Sequence, residues 1–425
     1  MKICICTHHS LMQRNSGAQD RIINFAKHLS DDENRVYIVD RIMDKSDSPF
    51  IIDGDKYYFV KDGVLKEKNY PFSVKFFFSG LIKRFQMALL FFLKSIFGLS
   101  EGWKFISDAF DLQLFVKLFF VCKKENIDLI QSESPIPMIP SLLVKRILGV
   151  PLVFDEHNIE QVNIKRMGGN NFLITCLKIL EKFCCRVSDA IFVVSKLDRE
   201  LLINLGIPPK KITVIPNSVD INIFSPKIDG ESIRQKYQLK KFTMLFHGAL
   251  DYPPNQEAVS LLVNKILPSV LERCPNALLL IVGKNAPRLS HPNVIVAGFV
   301  EDLPKYIAAV DVGVVPLLRG GGTRIKVLEY MAIGKPVVST EIGSEGIEVN
   351  HEKDILLSKS TNSDFVDLIC RLYDDKELRE KLGNNAREKV ETLYDWTKSS
   401  KKAKNVYQSL VSNSGGRTSN YHSLT

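Results

Sequence analysis

The stretch VPLLRGGGTRIKVLEYMAIGKPVVST, residues 315–340, determines the fold class of this chain. It begins as an apolar strand that ends at Leu318, passes through a turn of three glycines and becomes helical, with Thr323 expected to cap the helix. Gly334 and Pro336 follow the last apolar helical positions and predict where that helix ends. A strand that enters a helix through a glycine turn is typical of open α/β sheets, which bind ligands beyond the carboxyl ends of their strands.

Short apolar segments alternate with helical ones on both sides of this stretch. The opening KICICT predicts a strand, and Ile22, Phe25, Ala26 and Leu29 then recur at the spacing of a helix. Such alternation builds parallel sheets from βαβ units. Further strands are expected at residues 36–39, 57–60, 128–131, 152–154 and 190–194, and in the segments TMLFHG, ALLLIVG, NVIVAG, DVGVVPL and KPVVST.

The composition is that of a globular protein. The 425 residues include 57 Lys+Arg and 48 Asp+Glu, for a net charge of +9, and 45% are hydrophobic. This excludes a disordered or fibrous chain and predicts two or three domains. The eight cysteines are scattered among apolar neighbours without a C-x-x-C pair, which favours reduced cytosolic thiols over disulfides or a zinc site. MKICICTHHS turns polar too early for a secretory signal.

One basic segment is rich in phenylalanine. Residues 70–100 carry four Lys and Arg without an acidic residue, and 13 of the 25 phenylalanines lie between Phe72 and Phe120. The apolar run MALLFFL is too short to cross a bilayer. Two interpretations stay open for residues 75–97: an amphipathic helix on an anionic membrane surface, or a covering helix packed on the N-terminal domain. No recognition motif accompanies the cluster, which argues against nucleic acid as a partner.

The glycine turn and the helix after it form a candidate anion site. Backbone N–H groups and the positive end of the helix dipole can hold a diphosphate there, with Arg324 and Lys326 adding full charges. Glu329 is placed to accept hydrogen bonds from the two hydroxyls of a ribose. The alternative is an ordinary glycine loop beside a surface pair of Lys326 and Glu329.

This segment resembles the donor site of the family 4 glycosyltransferases. The resemblance implies two Rossmann-like parallel-sheet domains facing a cleft, the GT-B architecture, and sugar transfer from a nucleotide diphosphate sugar with retention of anomeric configuration. Matching fragments follow in order along most of the chain: Gly17, VFDEHNIE at 153–160, VVS at 193–195, VIPNSVD at 214–220, FHGALDYPPN at 246–255, IVG at 281–283, GFVEDLP at 298–304 and YDW at 394–396.

The expected domain organisation follows from the alternation and the resemblance. An N-terminal acceptor-side domain is expected at residues 1–215 and a nucleotide-sugar-binding domain at 241–393. They are joined by a connection at 216–240, which is rich in Pro, Asn and charge. The resemblance implies that a helix at 394–412 crosses back to the N-terminal domain. The polar residues 413–425 are expected to be a disordered tail.

The resemblance also implies roles for individual residues. Glu329 matches the glutamate that binds the donor ribose, and the backbone of Gly322 and Thr323 matches the phosphate-contacting turn. His157 matches a histidine near the transferred sugar, although a histidine after a buried strand is also typical of a purely structural residue. Gly17 matches the glycine loop that faces the donor phosphates. The residues that edge the base are expected to be Gly298, Phe299 and Val300.

Two departures from the family pattern bear on the donor site. Gly321 stands where many relatives have a second glutamate, which is associated with the donor sugar. Residues 249–256 contain no Arg or Lys, although many relatives use both there to neutralise the diphosphate. We therefore expect Arg324 and Lys326 to supply that charge, and His157, Arg324 and Lys326 to be the catalytic residues.

The resulting expectation is a cytoplasmic retaining glycosyltransferase that needs no metal or other cofactor. Its acceptor is a glycan or a lipid-linked sugar used in cell-surface polysaccharide or glycolipid synthesis, and it sits peripherally on the inner face of the membrane. The alternatives are a non-catalytic nucleotide- or glycan-binding protein, or a nucleotide-sugar epimerase or phosphorylase on the same fold. The donor base, the sugar, the acceptor and the oligomeric state are not read from the sequence.

Other chemistry-bearing residues have weaker claims. Asp53, Gly54 and Asp55 form a D-x-D triplet of the kind that holds manganese in another glycosyltransferase fold, but their context predicts a hairpin turn. His8, His9 and His247 lack recognisable metal-binding partners. The first loop lacks G-x-G-x-x-G, which argues against a dinucleotide oxidoreductase.

Overall fold

The structure is a computed structural model that describes residues 1–9, 17–40, 56–69, 111–166, 168–239 and 242–418. The chain divides into unit 1, comprising Met1–Ile215 and Ser400–Thr425, and unit 2, comprising Pro216–Ser399. Each unit contains one mainly parallel sheet with helices between its strands. The predicted α/β class with two parallel-sheet domains is therefore confirmed.

Unit 1 is built on an eight-stranded sheet. Its strands are β1 (Lys2–Thr7), β2 (Arg35–Asp40), β3 (Lys56–Lys61), β4 (Val64–Asn69), β5 (Leu129–Glu133), β6 (Leu152–Glu156), β7 (Ala190–Val193) and β8 (Ile212–Val214). They lie in the order β4-β3-β2-β1-β5-β6-β7-β8, and neighbouring pairs are parallel except β2–β3 and β3–β4. Because β2 and β5 flank β1, the winding direction reverses at β1, the position at which such sheets bind ligands.

Some helices of unit 1 begin at a side chain that accepts a hydrogen bond from a backbone N–H of the first turn. Asp111 accepts from the backbone N–H of Leu114 at 3.0 Å, and Asn170 accepts from that of Phe172 at 2.7 Å. The helices are α1 (Gly17–Leu29), α2 (Leu112–Glu125), α3 (Met138–Leu148), α4 (Glu160–Arg166), α5 (Asn171–Val187), α6 (Lys196–Asn204) and α14 (Trp396–Thr418), which belongs to unit 1 from Ser400 onward.

Unit 2 is built on a six-stranded, fully parallel sheet. Its strands are β9 (Thr243–His247), β10 (Leu278–Val282), β11 (Val294–Gly298), β12 (Val312–Val315), β13 (Val337–Thr340) and β14 (Leu356–Ser358). They lie in the order β11-β10-β9-β12-β13-β14. Here the winding reverses between β9 and β12, so the loops after these two strands are the expected ligand site.

The helices of unit 2 cover this sheet. They are α7 (Glu231–Tyr237), α8 (Pro253–Leu261), a π-helical turn (Leu262–Ile266), α9 (Leu267–Arg273), α10 (Leu303–Ala308), α11 (Ile325–Ala332), α12 (Ser363–Asp374) and α13 (Lys376–Leu393). Helix α11 packs closely on the sheet at Gly313 of β12, where a Cβ would lie 2.5 Å from the ring of Tyr330. The Tyr330 hydroxyl donates to the carbonyl of Leu245 at 3.0 Å. This contact fixes the helix that carries Lys326 and Glu329.

The unit boundaries differ in part from the expected ones. Residues 216–240 belong to unit 2, because they contain α7 and place Ile233 and Leu239 in the core of that unit. Helix α14 continues to Thr418, past the expected start of a disordered tail. Strands β4, β8 and β14 were not expected, since β4 is a polar edge strand and the other two are three residues long.

Several features of the sequence fall outside the described residues. These include residues 75–97 and the triplet Asp53, Gly54 and Asp55. Within the described ranges, every helix is too short or too polar to span a bilayer. All eight cysteines are free thiols, seven of them buried, as their apolar surroundings in the sequence indicate.

Candidate functional site

The candidate donor site lies at the carboxyl ends of β9 and β12 in unit 2. His247 is the last residue of β9, and Gly248 follows it. The glycine turn connects β12 to α11, which carries Lys326 and Glu329 on its first two turns. The structure thus brings the predicted residues Gly321, Gly322, Thr323, Arg324, Lys326 and Glu329 to one edge of the sheet.

Lys326 is the basic side chain of this site whose contacts are best defined. Its Nζ donates to Oδ1 of Asn255 at 2.8 Å and lies 4.1 Å from the ring centroid of Phe246. Asn255 is itself held by a 2.8 Å hydrogen bond from its Nδ2 to the carbonyl of Ala249. Burial, and then the charge of Arg324, lower the pKa of Lys326 to about 7. Among the described residues, the hydrogen-bond acceptor of the amine is thus an amide oxygen and not a carboxylate.

Arg324 stabilises the glycine turn. It is buried, and its Nη1 donates to the carbonyl oxygens of both Gly321 and Gly322. Gly320 has a φ of +119°, and a Cβ there would lie 3.2 Å from an Arg324 nitrogen. The carbonyl of Gly321 thus accepts a hydrogen bond from Arg324.

The cap predicted at Thr323 is wrong. The N-cap residue of α11 is Arg324, with φ −82° and ψ 85°, and its side chain makes no capping hydrogen bond. The helix begins one residue later than the threonine pattern indicates, because the arginine folds back onto the turn. No side chain caps α11; the backbone N–H groups of Ile325 and Val327 instead donate to the carbonyls of Thr323 and Arg324 at 3.1 and 2.9 Å.

Glu329 lies beside His247. The distance between Oε2 of Glu329 and Nε2 of His247 is 3.4 Å, and the His247 ring packs edge-on against Tyr330 with centroids 4.9 Å apart. Burial, and then the charge of Lys326, lower the pKa of His247 to about 3, so this histidine is neutral. The partly exposed Glu329 carboxylate therefore lies next to a neutral histidine and interacts electrostatically with Lys326.

The residues expected to contact the base, Gly298 to Val300, are connected to this site through contacts of Gly283 and Gly248. The carbonyl of Gly298 accepts from the N–H of Gly283 at 2.8 Å. A Cβ on Gly283 would lie 1.9 Å from the carbonyl oxygen of Gly248, so the loops after β9 and β10 can meet because residue 283 lacks a side chain. Phe299 is 62% exposed, while Val300 packs on the core.

A second polar cluster occupies the carboxyl ends of β1, β5 and β6 in unit 1. In the strand register Thr7 lies opposite Glu133, and Glu133 lies opposite Asp155. His157 follows β6, and its Nε2 is 2.5 Å from Oε2 of Glu133 and 3.9 Å from Oδ2 of Asp155. Gly17, the other residue predicted in this unit, begins α1.

This cluster is the one group of described residues in which three metal-ligating side chains, Glu133, Asp155 and His157, lie within 4.8 Å of one another. Hydrogen-bond donors already occupy its oxygens. Arg21 donates to both oxygens of Asp155 at 3.0 to 3.3 Å, and Gln131 donates to Glu133 and Asp155. The contacts are those of a buried hydrogen-bond network.

His8 and His9 contribute to the surroundings of His157. His8 lies 3.0 Å from the hydroxyl of Ser134, and its ring centroid is 3.9 Å from that of His9. Burial, and then the charge of His157, lower the pKa of His9 to about 4. Both histidines therefore line the carboxyl edge of β1, as their sequence position predicts.

Several residues at these two sites were not singled out from the sequence. Asn255 lies in the FHGALDYPPN fragment, but nothing in its neighbours indicates a contact with Lys326, which is 71 positions away. Glu133 is the last residue of the buried strand β5, and a carboxylate at the carboxyl end of such a strand is a usable signal. Arg21, Gln131 and Tyr407 come together only in the folded unit.

Comparison with known sequences is consistent with this geometry. The sequence model described as Glycosyltransferase Family 4 matches residues 96–223, and the one described as Glycosyl transferases group 1 matches residues 241–375. Together they cover more than half of the chain. The chain is 27% identical over 320 residues to the UDP-Gal:alpha-D-GlcNAc-diphosphoundecaprenol alpha-1,3-galactosyltransferase of Escherichia coli, a match that covers 71% of this chain and 81% of the relative.

Comparison with solved structures addresses the fold. Anabaena HepE in complex with UDP aligns with a TM-score of 0.64 and 17% identity, over 96% of this chain and all of the other. Sucrose-phosphate synthase from Thermosynechococcus elongatus aligns with a TM-score of 0.71 and 17% identity, over 97% and 99% of the two chains. The chain therefore belongs to the family 4 glycosyltransferases and is a glycosyltransferase with the GT-B fold.

Proposed function

We propose that this enzyme transfers a sugar, with retention of configuration, from a uridine diphosphate sugar to a lipid-linked or other glycan acceptor in cell-surface polysaccharide or glycolipid synthesis. Unit 2 binds the donor and unit 1 recognises the acceptor. The observation that carries the proposal is the convergence of Lys326, Arg324 and Glu329 where the winding of the unit 2 sheet reverses.

The donor contacts follow from this convergence. The diphosphate lies against the N–H groups of Gly322 and Thr323 and the positive end of α11, beside the Lys326 amine. Glu329 accepts hydrogen bonds from the ribose hydroxyls. The base lies along Gly298, Phe299 and Val300, the stretch that adjoins the loops after β9 and β10. The name of the Escherichia coli relative and the HepE complex favour uridine as the nucleoside.

The reaction needs positive charge where the leaving group departs. As the bond between the anomeric carbon and the phosphate oxygen breaks, the nucleoside diphosphate gains negative charge that Lys326 and Arg324 stabilise. The acceptor hydroxyl forms the new bond on the same face, and its proton passes to the departing phosphate. These two cations supply the charge that a metal would otherwise provide, so we propose that no metal is required. His157 contacts the transferred sugar.

The acceptor class is proposed from the same relative, whose name specifies a diphosphoundecaprenol-linked sugar. An acceptor carried on a lipid places the enzyme at the cytoplasmic face of a membrane, and residues 75–97 supply a basic segment for an anionic surface. Flotation with anionic liposomes tests this attachment. Lys83→Glu combined with Arg84→Glu is expected to abolish it, whereas binding unaffected by this double variant would argue against an electrostatic contact.

The donor site is tested by calorimetric titration of UDP, GDP, ADP and TDP without metal. We expect one nucleotide, UDP, to bind clearly best and Glu329→Ala to weaken it about 100-fold, since two hydrogen bonds to a charged group are lost. The matched control is Glu377→Ala on the exposed side of α13. Equal affinity in wild type and Glu329→Ala would refute the ribose contact.

Turnover is tested by the release of UDP from UDP-sugars in response to acceptor. We expect Arg324→Ala to abolish release while the protein stays folded, because the glycine turn loses both of its contacts with Arg324. An active Arg324→Ala enzyme would refute this role. Donor binding without acceptor-dependent release in the wild type would instead favour a non-catalytic binding protein.

A further inference from the structure

The unit 1 cluster contains a chain of hydrogen bonds that ends on His157. Tyr407 of α14 contacts Oε1 of Gln131 through its hydroxyl, and Nε2 of Gln131 donates to Oε1 of Glu133 at 2.5 Å and to Oδ2 of Asp155 at 3.3 Å. Tyr407, Gln131, Glu133 and Asp155 are fully buried. The C-terminal helix is thereby linked to the carboxyl edge of β5.

The orientation of the Gln131 amide follows from its neighbours. Its nitrogen has two hydrogens, which point at one oxygen each of Glu133 and Asp155, and its oxygen faces the Tyr407 hydroxyl. The reversed amide would place an oxygen against two carboxylates, which is repulsive. Oε1 of Glu133 must therefore act as an acceptor, and only Oε2 remains to face His157.

The ring of His157 is constrained in turn. When Glu133 is ionised, its Oε2 can only accept, so Nε2 of His157 carries the hydrogen of the neutral ring and Nδ1 carries none. Arg21 donates to both oxygens of Asp155 and so offsets the second buried carboxylate. The tautomer of His157 is thus determined by side chains from β5, β6 and two helices.

We propose that Glu133 is a positioning residue that fixes the tautomer and orientation of His157, and that Tyr407 holds Glu133 in place through Gln131. The catalytic consequence of this arrangement rests on the proposed function, in which His157 contacts the transferred sugar. The arrangement itself is independent of any reaction. It makes the middle of the C-terminal helix part of the support for the site in unit 1.

Other titratable and charged groups face the same pair. Burial, and then the charge of Asp155, raise the pKa of Glu133, while His157 lowers it. The charge of His157 also acts to lower the pKa values of His9, which follows β1, and of Glu160, which begins α4. The titratable or charged residues around the pair are Asp155, Arg21, Tyr407, His9 and Glu160.

The deciding variant is Glu133→Gln, which conserves the shape of the side chain. The new amide has one oxygen and one NH2 group, and Gln131 requires the oxygen as its acceptor. The NH2 group then faces Nε2 of His157, which must accept instead of donate. We therefore expect the hydrogen of the neutral ring to move from Nε2 to Nδ1.

Nitrogen NMR of the full-length protein labelled in its histidines reports this change, with the His157 signals identified by His157→Gln. In the wild type we expect a protonated Nε2, and in Glu133→Gln a protonated Nδ1. The control Glu33→Gln makes the same chemical change on an exposed turn and should leave the wild-type pattern. An unchanged tautomer in Glu133→Gln would overturn the proposal.

Kinetics give the second readout. We expect Glu133→Gln to lower kcat about 10- to 100-fold, as is typical when an orienting partner is lost, while the calorimetric Kd for UDP stays unchanged. Tyr407→Phe is expected to mix the two tautomers and to lower kcat less. If Tyr407→Phe keeps the wild-type tautomer of His157, Tyr407 is not needed to hold Glu133 in place. If the wild type releases no UDP with any acceptor, the proposed function fails, but the NMR result still decides the role of Glu133.

Discussion

UDP binding is expected to draw a proton from solution onto Lys326. In the free site the amine donates to Asn255 and lies against the ring of Phe246, and its pKa is about 7 because burial and Arg324 disfavour the charged form. A diphosphate beside Nζ favours the charged form and raises that pKa again. Binding must therefore be accompanied by proton uptake.

The size of the uptake follows from this pKa. With a value of about 7, Lys326 lacks its proton in about half of the molecules at neutral pH and in about nine-tenths of them one pH unit higher. The terminal phosphate of UDP itself titrates near pH ~6, so it is fully ionised at pH ~8 and does not obscure the measurement there. We expect about 0.9 proton to be taken up per UDP bound at pH ~8.

The direction in which UDP binding shifts the pKa of Lys326 also predicts how the affinity for UDP depends on pH. The pKa of Lys326 is higher in the complex than in the free site, so its contribution to binding is fully present below about 7 and is lost as the pH rises above this value. The Kd for UDP should increase by at most about tenfold per pH unit above that point. Below it, Lys326 should cause little change.

The assay is calorimetric titration of UDP in two buffers that differ widely in ionisation enthalpy. Lys326→Arg keeps a permanent charge and should bind with no dependence of the heat on buffer, and Lys326→Met should bind weakly. Lys265→Arg, on the exposed side of the π-helical turn, is the matched control and should behave like the wild type. The predicted proton uptake would be refuted if the binding heat of the wild type at pH ~8 did not depend on the buffer. It would also be refuted if the binding heat of Lys326→Arg depended on the buffer as strongly as that of the wild type.

Three further predictions concern stability, each measured by urea unfolding. Asp155→Ala should lower the free energy of unfolding by about 3 to 5 kcal/mol, because it removes the buried carboxylate that pairs with the buried Arg21 guanidinium; Arg21→Met combined with it should recover part of the loss, and no recovery would contradict this account. Gly313→Ala should destabilise by about 1 to 3 kcal/mol, because its Cβ overlaps the Tyr330 ring, and a neutral effect would show that α11 can shift. Burial raises the pKa of Glu181 from 4.5 to about 7, so its stabilising effect is complete below 4.5 and disappears as the pH rises to about 7. Relative to Glu181→Gln, the wild type should lose about 3 kcal/mol across that interval, and parallel pH profiles would rule out the shift.

The sequence determined the fold class and the candidate donor segment. Alternating apolar strands and helical spacings predict parallel sheets because local periodicity records which side of each element is buried. The glycine turn, Lys326 and Glu329 could be read as one site because they lie within a single strand, turn and helix. The first residue of α11 could not be predicted as well from the sequence. The Arg324 side chain folds back onto the carbonyl of Gly322, and Arg324 takes the N-cap position that was predicted for Thr323.

Only the tertiary structure decided which distant side chains complete the two sites. Asn255 reaches Lys326 because β9 and β12 are neighbours in the sheet although 65 or more residues separate them in the chain. Tyr407 reaches Gln131 from α14, across 276 positions. Contacts of this kind depend on strand order and on the return of the last helix to unit 1, and no local periodicity encodes either of them.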